Sequence, residues 1–156
     1  MINTQVIDPQ ELEMIHSKSS AIKCLALIDI VFSCFYIFAS PFFALSTFIC
    51  LVMSMIGYYG AKNLNIVQIL CYNIYLILQN IFRIIVFGFY VTHPEYFGIS
   101  EINSGAILVN LIVIMLNIYI NYFVYSFYKV IKFYPQDFLT SLTVRPNIVV
   151  VHGEIA

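Results

Sequence analysis

Charge is what this sequence has least of. Only 10% of its 156 residues are Asp, Glu, Lys or Arg, against 62% that are hydrophobic, and the mean hydropathy is +0.92. A soluble domain carries about 25% charged residues and about 45–50% apolar ones. So few charges cannot cover a water-facing surface around a core, which leaves insertion into a membrane. A net charge of −1 with no clustered basic face excludes nucleic acid as a partner. Residues 1–20 hold Asp8, Glu11 and Glu13 but no Arg, so they have neither the basic start of a secretory signal nor the Arg-rich character of a transit peptide. The first apolar segment is therefore expected to act as its own insertion signal.

Chemistry-bearing patterns are equally scarce. Cys24, Cys34, Cys50 and Cys71 all lie in apolar segments without the close pairing of a zinc or redox motif. They read as small apolar fillers, with Cys24 near a membrane boundary as a palmitoylation alternative. His16, His93 and His152 are scattered, and neither a glycine-rich phosphate loop nor a Ser–His–Asp arrangement is present. No Asn-x-Ser/Thr sequon occurs. The expectation is a protein that is not an enzyme and has no cofactor, metal site or soluble substrate.

What is present is length and apolarity. From Cys24 to Tyr59 the chain is apolar apart from Asp29. As one helix this stretch would exceed about 50 Å, against a hydrocarbon core of about 30 Å. It must fold back, and Ser40-Pro41 is the break the sequence offers. Two further apolar runs follow. The expected fold is all-α, an integral membrane bundle of four transmembrane helices with short loops. The spans fall at about 21–40, 41–59, 64–89 and 106–128. A segment 1–20 precedes them, with a short helix opening at Asp8-Pro9, and a polar tail 129–156 follows them, in which Pro135 stops any continuation of the last helix. Lys18, Lys23, Lys62, Lys129 and Lys132 all fall on one side of this arrangement, whereas the 90–105 loop has Glu95 and Glu101 but no Lys or Arg. That places both termini in the cytosol. An endomembrane or the plasma membrane is the first choice of organelle and the mitochondrial inner membrane the second. Tyr119, Tyr122, Tyr125 and Tyr128 suit an interfacial belt at the cytosolic end of the fourth span.

Within the spans, Thr47, Cys50, Ser54, Gly57 and Ala61 form a stripe of small residues at helical spacing. Such a stripe lets helix backbones approach closely, within the bundle or against a partner helix. Asp29, Asn73 and Asn121 are expected at one depth as a buried polar layer, because a charge at mid-membrane must find partners. Asn80 and Arg83 continue the polar stripe of the third span, and Asn110 and Asn117 that of the fourth. These residues read as interhelical hydrogen bonds that fix register, with a proton or ion path through Asp29 as the alternative. Tyr128-Lys-Val-Ile131 has the form of a sorting signal but starts at the membrane edge, which makes chance the better reading. Asn147-Ile-Val-Val-Val151 has strand propensity.

The run Gly57-Tyr-Tyr-Gly-Ala-Lys-Asn-Leu-Asn65 resembles the tetraspanin signature that closes that family's second span. The small stripe and the Lys23, Asp29, Phe32 pattern of the first span are similar too. Tyr58 and Tyr59 stand where the family has cysteines, and the 90–105 loop has none. The resemblance implies a membrane organiser that acts through lateral contacts, with the bilayer and other membrane proteins as partners. An accessory subunit of a large respiratory or proton-pumping complex is the second reading, and a channel or proton carrier the third.

Overall fold

A computed structural model describes residues 9–39, 44–97 and 104–144. The Ser40-Pro41 break, Asp8, Glu101 and the 147–151 segment lie outside these residues. Among the described residues the protein is all-helical. Helix α1 spans Pro9–Ala39, α2 Ala44–Lys62, α3 Ile66–Thr92, α4 Ser104–Ile131 and α5 Gln136–Val144, with one 3-10 turn at Pro94–Phe97. Two of the helices, α3 and α4, are long and apolar enough to cross a membrane. In both, little of the most apolar stretch is buried.

The helices differ from the expected spans at their ends, for local reasons. Segment 9–39 is a single helix, with the polar N-terminal part running unbroken into the apolar part. Helix α2 continues through Gly60, Ala61 and Lys62, which the sequence had placed in a loop. It ends where the Asn65 N–H bonds the Gly60 carbonyl at 2.9 Å, a 6→1 closure around Leu64, whose φ is +49°. A left-handed L-residue costs about 1–2 kcal/mol. Burial of the Leu64 side chain, only 2% exposed, returns about 1.5–3 kcal/mol, so packing wins over backbone preference. Asn65 then caps α3, its Oδ1 accepting the Gln68 N–H at 3.1 Å.

The largest departure is α5, which occupies part of what the sequence offered as a polar tail. Helix α4 tightens at its end, with N–H groups of Phe133 and Tyr134 reaching back three residues. Pro135 stops it, and the Pro135 carbonyl accepts the first bond of α5 from the Leu139 N–H at 3.1 Å. Leu139 and Leu142 are buried. Gln136 fixes the docking: its Oε1 accepts the Ile66 N–H (3.2 Å) and its Nε2 donates to the Leu64 carbonyl (3.3 Å). One side chain thus satisfies both backbone groups of the α2–α3 turn. Gln136→Ala is expected to destabilise the protein by about 1–2 kcal/mol. It should also speed hydrogen exchange at Ile66, and unchanged exchange there would remove the clamp from the account.

The chain divides into two compact units, residues 1–72 with 126–156, and residues 73–125. In the first, α1 packs along α2. Its core holds Ile15, Ile22, Ala26, Ala61, Leu64, Ile69, Tyr72, Phe127, Ile131, Leu139 and Leu142. The second unit consists of the middle and end of α3 and most of α4, and its buried side chains are few: Leu76, Ile114 and Val124 with Asn73 and Asn80. Long runs of Ile, Leu, Val and Phe on both helices face outward instead.

Candidate functional site

All of the small-residue stripe except the half-buried Cys50 is buried within the first unit. Ser54 and Ala61 are fully buried and Thr47 nearly so. The Ser54 hydroxyl donates to the Cys50 carbonyl one turn back at 2.9 Å, which spares an apolar segment an unpaired hydroxyl. The Ala61 carbonyl accepts the Ser19 hydroxyl of α1 at 2.7 Å. Gly57 faces the Tyr72 ring of α3 so closely that a Cβ there would lie 2.6 Å from two ring carbons. At Gly60 a Cβ would meet Gln68 Cβ at 2.8 Å and backbone atoms of Gln68 and Ile69 just beyond. The glycines therefore serve the approach of α2 to α3 inside this chain.

Asp29 lies beside this contact. The Tyr72 hydroxyl donates to Asp29 Oδ2 at 2.9 Å. Tyr72 is fully buried, so the carboxylate meets its donor at the edge of a dry contact between α1, α2 and α3. Sequence reasoning missed Tyr72. The signal was there in part, since Ile69, Tyr72, Asn73, Leu76 and Asn80 are all buried at helical spacing on α3. The stripe drawn through Asn73 and Asn80 runs past Tyr72, but its side chain looked like one more of twelve tyrosines.

The expected polar layer of Asp29, Asn73 and Asn121 is distributed over the two units. Asp29 pairs with Tyr72, whereas Asn121 Nδ2 donates to the Leu76 carbonyl at 3.3 Å within the second unit. Asn117 Nδ2 bonds the Val113 carbonyl of its own helix at 3.0 Å. Asn110 lies half-buried on α4. The Oδ1 atoms of Asn73, Asn80 and Asn121 are enclosed and have no donor among the described residues. Arg83 is half-buried and has no ion-pair partner among the described residues. Asp29 is the only acid within the apolar segments, and a proton path would need a succession of such groups.

Outside the apolar stretches, two polar contacts stand out. His93 and Glu95 pair at 3.1 Å in the loop after α3, and backbone and His93 hydrogen bonds hold the exposed Glu95 carboxyl below its usual range. The Tyr134 hydroxyl donates to Glu11 at 2.7 Å, tying the turn after α4 to the start of α1. Partial burial, and then the Glu11 carboxylate, push the Tyr134 phenol up. Among the described residues no group of three His, Cys, Asp or Glu lies together to hold a metal.

Compared with known proteins, the chain matches no family model, and no curated protein and no solved structure is similar to it.

Proposed function

We propose that this chain is a non-enzymatic four-span membrane protein, with both termini cytosolic, that organises or stabilises partner membrane proteins through lateral helix contacts. One observation carries the reading: each of the four long helices exposes a run of apolar side chains that gives way to exposed polar ones at one end. On α1 the exposed side chains are mostly polar up to Ser20 (Gln10, Glu11, Glu13, His16, Ser17 and Ser20, with Met14 among them), and then Cys24, Leu27, Ile28, Val31 and Phe32. On α2 they are Phe48, Ile49, Val52, Met55 and Tyr59 until Lys62. On α3 they are apolar from Val67 on, and on α4 up to Tyr125, with Lys129 beyond. In water this exposure would be untenable, whereas in hydrocarbon it costs nothing.

Lateral contact follows from what the exposed faces offer. The small stripe of α2 is occupied within the chain, so a partner would meet the Ile, Leu and Phe faces of α3 and α4. The tetraspanin-like run of span two points the same way, since that family acts through lateral contacts. Lys18, Lys23, Lys62, Lys129 and Lys132 all belong to one compact unit, consistent with a single cytosolic end.

Epitope tags placed before Met1 and after Ala156 test the topology. Both should be protected from protease in the same sealed vesicles, and protection on opposite sides would exclude an even number of spans. For the organising role, the measurement is native mass after gentle extraction, with co-purifying chains identified. Several membrane partners in substoichiometric amounts would support the organiser. One large assembly of fixed composition would make the chain an accessory subunit, and a bare monomer would defeat both.

A further inference from the structure

Where α4 ends, the first unit has a groove of about 290 Å³ lined by Glu11, Met14, Lys129, Val130, Phe133 and Tyr134. It opens within a turn of Ile131, the last residue of a helix long enough to cross a membrane. On the reading that α4 does cross, this depth is the headgroup layer. Phe133 is 83% exposed, more than any other large hydrophobic residue of the described chain. An aromatic ring in that position is poorly placed in water and well placed at a bilayer interface.

The groove carries both signs of charge. The Glu11 carboxylate lines it, held by the hydroxyl of Tyr134 at 2.7 Å. Lys129 adds an ammonium to the same lining, while Met14 and Val130 make the wall apolar. A simple anion would have no use for Glu11, and a cationic peptide none for Lys129. A group with an ammonium and a phosphate a few bonds apart, joined to an apolar body, uses every element. We propose that this groove holds the headgroup of a zwitterionic phospholipid. Glu11 and the aromatic rings receive its ammonium, Lys129 its phosphate, and Phe133 packs among the first acyl carbons.

The test is native mass spectrometry of the delipidated full-length protein in mild detergent. It is titrated with short-chain phosphatidylethanolamine and, separately, with phosphatidylglycerol of the same acyl length. One saturable phosphatidylethanolamine adduct is expected, with phosphatidylglycerol bound about tenfold more weakly, a difference of about 1.4 kcal/mol. Lys129→Gln and Glu11→Gln should each weaken the adduct about tenfold. Glutamine at residue 11 retains an acceptor for Tyr134, so these variants probe charge rather than fold. Glu11→Lys should reverse the lipid preference. Equal binding of the two lipids, or an adduct unchanged in both glutamine variants, overturns the proposal. If Glu11→Lys loses its helical circular dichroism, the two glutamine variants decide, because Glu11→Gln keeps the acceptor for Tyr134 and Lys129 is exposed on the last turn of α4. Lipid counting in detergent does not depend on how many helices cross, so a negative result leaves the four-span reading standing, and misplaced tags leave the lipid result standing.

Discussion

Replacing Gly57 with alanine should destabilise the protein by about 3 kcal/mol, and replacing it with leucine should prevent folding altogether. The added methyl would sit 2.6–2.8 Å from three atoms of the Tyr72 ring. Often an aromatic ring can yield to such an intrusion by turning aside. Here it has nowhere to go, because Tyr72 is fully buried and its hydroxyl is held by Asp29. The strain must pass to the backbones of α2 and α3. Unfolding in a detergent titration, followed by circular dichroism, measures the loss. Tyr72→Leu should cost less in the Gly57→Ala background than in the parent protein, since the two sites share one contact and their effects are not additive. A neutral Gly57→Ala would mean that α2 and α3 do not approach as described.

The second large effect concerns Tyr72 itself. Tyr72→Phe keeps the ring over Gly57 and removes only the hydroxyl that donates to Asp29. Because the acceptor is a carboxylate in apolar surroundings, the expected loss is about 1.5–3 kcal/mol. Asp29→Asn retains an oxygen for the Tyr72 hydroxyl and should cost less than about 1 kcal/mol. The order of these two variants separates the roles offered by the sequence. If Asp29 serves to hold α1 against α3, the phenylalanine variant is the worse of the two in stability, and the asparagine variant leaves any measured flux unchanged. If Asp29 carries protons, Asp29→Asn abolishes a flux in a protein that remains fully folded.

Much of the helical order was legible because it depends on composition and spacing. Asp29 and the polar residues of the third and fourth spans were conspicuous because the surrounding sequence is so apolar. The boundaries were less legible. Gly60-Ala61-Lys62-Asn63 has the composition of a loop, yet the helix persists through Lys62 because Leu64 adopts the left-handed conformation that closes it and buries its side chain in doing so. Helix α5 was hidden for a similar reason. Gln136–Val144 has no strong apolar run, and what holds it is Gln136 reaching the α2–α3 turn, a contact between residues about seventy positions apart.

By itself the sequence determined that the chain is helical and rich in segments fit for hydrocarbon, because local hydrogen bonding within helices satisfies the backbone wherever water is excluded. It also led to the expectation of four spans with the basic residues beside them on one side. Only the tertiary structure decided that Tyr72 is the donor to Asp29 and that the small residues of α2 are filled by this chain's own neighbours. It alone decided that an acid near the start of α1 and a lysine at the end of α4 share one groove. Each of these depends on which helix faces meet, and that is settled by shape complementarity between residues far apart in the chain, which no local pattern encodes.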